Sequence, residues 1–215
     1  MRNSPDTSLT RSVATESLAD LLGNISETAI DSVIESGSLR DIPVIGTITG
    51  LMKAGRDIRS ALFLRKVAVF LQEMSQTSLQ DRLRFVTQLD SEEKQHEFGQ
   101  AILMLLDRSE DITKPRLIAK VISAHIHGNI DYSKAMRLCA IIDKCYTQDL
   151  TLLREFKEGT QGKSTPIAES LLAAGLLSNG GFDGGTVEGN DGGVIYVMNE
   201  YGLLLKQYAL CQCSG

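Results

Sequence analysis

Apolar side chains recur at helical intervals through most of the first 156 residues. Leu18, Leu21, Leu22, Ile25, Ala29, Ile30, Val33 and Ile34 share the three- and four-residue spacing that builds one apolar face. They predict a helix over 15–36, with Gly37 as its stop. Pro43 suits the opening turn of a second helical stretch. Ile58, Leu62, Phe63, Val67, Phe70, Leu71 and Met74 then carry an amphipathic pattern to about Ser75. Ser78 reads as the N-cap of a short helix bearing Leu79, Leu83 and Val86. Asp90 or Ser91 caps the next, with Glu92 and Glu93 in the first turn, where the helix dipole favours acids. Phe98, Ile102, Leu105 and Leu106 form its apolar face. Thr113-Lys-Pro115 opens a helix that Gly128 closes. A long helix is expected from Asp131 to about Phe156, bending near Thr147, where the apolar spacing slips.

The rhythm fails at both ends. Residues 1–12 are rich in Ser and Thr and poor in apolar side chains, so they read as a disordered N-terminus. Residues 158–165 are polar and read as a linker. Pro166 opens a short helix, with Gly175 as its cap. A glycine-rich stretch follows, and Thr186-Val-Glu, Gly-Asn-Asp-Gly-Gly and Val194–Met198 read as a β-hairpin with a loose tip. Asn199 caps a last helix carrying Leu203, Leu204, Leu205 and Tyr208. The fold class is therefore mainly α. A helical bundle of about six helices (13–158) precedes a small α+β unit (159–210) and a tail (211–215).

Composition narrows the function classes. The chain has 215 residues, enough to bury a core without disulfides or metal. Its net charge of −5 lacks the basic surplus by which a general nucleic-acid binder displaces phosphate counterions. Cys139 and Cys145 fall in a helical stretch and read as small core residues. Cys211 and Cys213 lie in the tail. This usage fits a reducing cytoplasm. The polar N-terminus has no signal-peptide pattern. The longest charge-free apolar run, Ile42 to Met52, falls short of the roughly 20 residues that span a bilayer.

The C-terminal order is informative. Ile167-Ala-Glu-Ser-Leu-Leu-Ala-Ala-Gly-Leu-Leu177, followed by Val194-Ile-Tyr-Val-Met-Asn-Glu-Tyr-Gly-Leu-Leu204, resembles the winged-helix domains of bacterial regulators over about residues 160–210. In that family a recognition helix ends in Gly-Leu, two wing strands follow, and a helix opens at Thr-x-x-Gly. The resemblance implies a winged-helix fold. It implies DNA reading only where the recognition helix and wing are basic. Here Lys163 and Lys206 are the only basic residues from Thr160 on, against Glu169, Asp183, Glu188, Asp191 and Glu200. Phosphate would be repelled, so a protein–protein role is the expectation. The whole arrangement also resembles bacterial proteins in which an Ile-Pro-x-x-Gly segment, here Ile42–Gly46, precedes a helical bundle and a degenerate wing. For some of that group the resemblance implies a part in phage defence.

Local motifs for chemistry fail on geometry. Gly159-Thr-Gln-Gly-Lys-Ser164 has two residues between its glycines where a phosphate loop needs four. His125 and His127 are two apart on a helix and point in different directions. Asp107–Ile118 lacks the glycine and terminal glutamate of a calcium loop. No catalytic residue, metal site or cofactor is expected, and the chain is read as a non-enzyme. The segment 42–74 is the candidate contact region. Gly46, Gly50 and Ala54 share one helix face that would let another backbone approach; Arg56, Arg59, Arg65 and Lys66 follow. Either the segment is a helix hairpin inside the bundle, or it meets a membrane surface with cations on anionic headgroups. The expected function is an adaptor or regulatory protein that binds a protein partner or assembles with itself. A membrane-active effector and a winged-helix transcription regulator are the alternatives.

Overall fold

The computed structural model describes residues 4–23, 25–26, 29–51, 58–156, 160–162, 166–184 and 192–211. The chain is mainly helical with one small antiparallel sheet. It divides into two compact units, 1–131 and 132–215, so the division falls before the long helix expected from Asp131 and not at the polar stretch 158–165. Among the described residues no helix is long and apolar enough to cross a membrane.

The first unit contains eight described helices: α1 (Pro5–Val13), α2 (Leu18–Leu22), α3 (Ile30–Ser36), α4 (Pro43–Leu51), α5 (Ile58–Met74), α6 (Leu79–Gln88), α7 (Glu92–Arg108) and α8 (Thr113–Ile126). Its core holds Leu9, Val13, Phe70, Leu71, Phe98, Ile102, Leu106, Ile118 and Ile122, all essentially inaccessible. The disorder expected for residues 1–12 is corrected from Pro5 onward, because α1 packs mainly on α7 and α4. Its hydroxyls are what made it look solvated, and they turn inward. The Ser8 hydroxyl pairs with that of Thr47 at 3.0 Å, and Thr10 Oγ1 donates to the Gln95 carbonyl at 2.7 Å. Ser12 Oγ accepts from the Val44 N–H at 2.9 Å, satisfying one of the donors that the start of α4 leaves without an intrahelical partner.

The single helix expected over 15–36 is two short ones. Gly23 weakens the helix at the end of α2, and Gln72 of α5 donates to the freed carbonyls of Leu22 and Ile25 at 2.9 and 2.6 Å. The predicted caps are in place on α6 and α7: Ser78 and Ser91 accept from the N–H groups of Asp81 and Lys94. Gly37 and Gly128 end α3 and α8 in left-handed backbone, a conformation that costs glycine little.

The second unit runs α9 (Tyr132–Lys144), α10 (Thr147–Leu152) with a 3-10 turn at Leu153–Glu155, β1 (Thr160–Gly162), α11 (Pro166–Ala173), β2 (Leu177–Asp183), β3 (Gly193–Met198) and α12 (Glu200–Leu205), which continues as a π-helical turn Lys206–Leu210. The long helix from Asp131 does not bend; it stops, because Tyr146 is extended and α10 starts afresh at Thr147. The sheet order is β1-β3-β2, with both pairings antiparallel. Part of the expected linker is thus a strand. The hairpin's first strand is Leu177–Asp183, whereas Thr186–Glu188 and the loop tip lie outside the described residues. Asn199 secures the end of the hairpin: Oδ1 accepts from the Gly202 N–H, and Nδ2 donates to the Gly175 and Leu177 carbonyls. A Cβ at Gly202 would stand 2.3 Å from the Leu176 carbonyl oxygen. The Asn-Glu-Tyr-Gly motif therefore has a packing reason.

Candidate functional site

The contact segment predicted at 42–74 is spread over α4 and α5. Its small-residue face does not make one close crossing. A Cβ on Gly46 would lie 2.5 Å from the carbonyl oxygen of Arg40, so this glycine admits the turn just before its own helix. A Cβ on Gly50 would meet nothing within 4 Å. Ala54 and Arg56 lie outside the described residues.

The remaining cations of the segment face acids of the same unit. Arg59 reaches Asp107 of α7 at 3.5 Å, and Lys66 Nζ donates to the backbone carbonyl of Asp107 at 3.0 Å. Burial lowers the pKa of the Lys66 ammonium, with the Asp107 carboxylate opposing. Arg65 pairs with Asp31 of α3 at 3.3 Å. Arg65 is thereby mostly covered, Arg59 stays largely in water, and apolar side chains of the segment are exposed beside it. Ile58 is 78% exposed, Leu62 51% and Leu51 67%. Ile58 and Leu62 are four residues apart and share a face of α5.

The other motifs resolve into structural roles. His125 Nδ1 donates to the Ile130 carbonyl, 3.0 Å away, and its ring meets Phe85 edge-on at 5.8 Å. His127 lies 3.9 Å from Asp81, and His96 3.5 Å from Asp6, so the three imidazoles stand on separate partners. Asp111 Oδ1 accepts from the N–H groups of Thr113 and Lys114 and so caps α8. Of the phosphate-loop-like stretch, Thr160–Gly162 pairs with β3; Gly159, Lys163 and Ser164 lie outside the described residues. Among the described residues no three metal-binding side chains come together.

Cys139 and Cys145 are buried and reduced, while Cys211 is exposed; Cys213 lies outside the described residues. Burial pushes the Cys139 thiol up to about 12, so it carries almost no thiolate at neutral pH, and thiolate is the reactive form. A maleimide pulse on the native protein is expected to label Cys211 and spare Cys139, with full labelling of Cys139 only after unfolding. Peptide mass spectrometry checks this.

One feature of the second unit has no local signature in the sequence. Ser133, Arg137, Ala140 and Lys144 follow one face of α9 and line a groove of about 770 Å³ together with Ser170, Ala173, Ala174 and Gly175 at the end of α11. Two helices about thirty residues apart in sequence build it, so no local motif could announce it. Compared with protein-family models, with curated proteins and with solved structures, the chain matched none.

Proposed function

We propose that this chain is a non-catalytic protein-binding module, an adaptor or regulatory subunit, which engages a partner through the exposed apolar start of α5. The observation that carries the reading is the inverted use of segment 42–74. Ile58, Leu62 and Leu51 stand in water, whereas Arg65 and Lys66 are turned to Asp31 and Asp107 and only Arg59 keeps its charge largely exposed. Scattered single apolar residues need no explanation, but Ile58 and Leu62 lie side by side on one face of α5 and form a small apolar patch that a partner can cover. A helix that lies on a membrane needs its cations for lipid phosphates. Here that use would require Arg65 and Lys66 to give up their contacts with Asp31 and Asp107, which favours a protein partner, either a second copy or another chain.

The second unit is read as a winged-helix-like element serving the same end. The order α11, Gly175-Leu176, two antiparallel strands, then a helix opened by Asn199 supports that likeness. The helix in the recognition position, Pro166–Ala173, carries Glu169 and no Arg or Lys, so the DNA-reading alternative finds no support in its charge.

The test is the double substitution Ile58→Glu with Leu62→Glu, chosen because both side chains are exposed and the fold should tolerate it. Capture of a partner from an extract of the source cells, or concentration-dependent sedimentation of the purified chain, is expected to fall at least tenfold. Circular dichroism should stay unchanged. Arg59→Glu with Lys66→Glu should retain partner capture. Loss of anionic-vesicle co-sedimentation in the second variant, with partner capture unaffected in the first, would give the segment to a membrane and end this reading.

A further inference from the structure

The groove of the second unit has a chemistry distinct from the apolar start of α5, and we propose that it is a docking site for an acidic helix of a partner protein, one bearing carboxylates seven residues apart. Ala140 on α9 and Ala173, Ala174 and Gly175 at the end of α11 present almost no side chain, and the buried Ile141 and Cys145 form the floor. Small residues along a trough allow another helix backbone to come close, since the distance between helix axes is set by the side chains at the contact. A cleft of about 770 Å³ that is open along one side suits a rod lying in it.

Charge then selects the rod. Arg137 and Lys144 flank the trough. Glu200 is held by Lys134 at 2.5 Å; Asp149 accepts from the Ser170 hydroxyl at 2.6 Å and keeps its charge on the α11 side of the trough. Among the described residues neither Arg137 nor Lys144 has a carboxylate partner. The Arg137 guanidinium stands over the Tyr201 ring, 5.6 Å from its centroid. That contact holds the planar fork in place and leaves its N–H edge for a carboxylate.

Spacing makes the proposal specific. Arg137 and Lys144 are seven residues apart on one helix, two turns, which is about 10.5 Å along the axis. At that axial spacing the two cations match a pair of carboxylates better than a single one. A helix lying nearly parallel or antiparallel to α9 reaches both with acids at positions i and i+7, and the residues between them, at i+3 and i+4, fall over Ala140. Those intervening positions should be small or apolar, to fill the trough.

The probe is a designed, fluorescein-labelled helical peptide with two Glu seven apart, Ala and Leu at the intervening face positions and neutral polar residues elsewhere, titrated with the full chain by fluorescence anisotropy. Three results are expected together. The peptide saturates; moving its Glu residues to a four-residue spacing weakens it several-fold; and Arg137→Glu with Lys144→Glu weakens it at least tenfold, with affinity regained by a peptide carrying Lys in place of both Glu. Circular dichroism of the variant guards against loss of fold. No binding at millimolar protein, affinity indifferent to the spacing, or affinity indifferent to the charge reversal would each overturn the proposal. So would self-association abolished by the same variant without peptide binding, which would give the groove to a second copy. Because the Ile58 and Leu62 surface is untouched here, failure of this proposal leaves the reading of α5 standing, and the reverse.

Discussion

Gly99→Ala is expected to destabilise the unit 1–131 by about 3 kcal/mol, in the range of an overpacked core, although Gly→Ala in a helix ordinarily gains up to about 1 kcal/mol. The geometry decides the sign. A Cβ at position 99 would stand 2.0 Å from the carbonyl oxygen of Asp6 and 2.6 Å from its carbon. Both are backbone atoms of α1 and cannot rotate aside. The helix would have to lift off α7, loosening Leu9 and Val13 in the core and the bonds that Thr10 and Ser12 make to neighbouring helices. Urea unfolding followed at 222 nm should show a midpoint well below the wild type, and hydrogen exchange should show α1 opening first. A midpoint equal to or above the wild type would mean that α1 does not dock as described.

Arg82→Ala carries the largest expected loss, about 4 kcal/mol from orphaned acceptors and a cavity, against a typical domain stability of about 5–15 kcal/mol. Arg82 is only 1% exposed and has carbonyls as its hydrogen-bond partners. Nε donates to Thr77 at 3.0 Å, and Nη1 to Val13 and Thr15 at 2.5 and 3.0 Å. Burial lowers the pKa of the guanidinium, yet the ordinary value is so high that it stays charged at neutral pH. One side chain thus ties the end of α1 to the start of α6. Arg82→Lys should recover only part of the loss, because an ammonium is a point donor and cannot reproduce a fork with three bonds in fixed directions. Thermal unfolding of the three proteins side by side checks the order wild type, Lys, Ala. A lysine variant as stable as the wild type would contradict it.

These two residues also mark where the sequence falls silent. Arg82 sits in an ordinary amphipathic helix and looks like any solvated cation; nothing in its neighbours says that carbonyls 67 to 69 residues earlier converge on it. Gly99 interrupts a good helical pattern, and its reason lies in a helix some ninety residues away. The hydroxyls of α1 misled for a related cause. Ser and Thr are counted as polar, but a small hydroxyl that bonds to a neighbouring helix packs as closely as alanine.

Signals confined to a few residues were legible. Ser78, Ser91 and Asn199 cap the helices that their sequence context announced. Gly37, Gly128 and Gly175 take the positive φ that ends a helix. The slip in apolar spacing near Thr147 marks a true interruption, deeper than a bend. For the contact segment, the amphipathic pattern of α5 could be read directly. That Arg65 and Lys66 would turn to Asp31 and Asp107 could not, because those partners come from α3 and α7.

On the proposed reading, Ile58 touches another protein. A photo-crosslinking amino acid placed at position 58, with the same group at the exposed Gln80 as a control, measures this inside the source cells. A discrete adduct is expected at 58 that is missing at 80 and disappears when Leu62 is changed to Glu. Crosslinks of equal pattern at both positions, or none but lipid at 58, would contradict it.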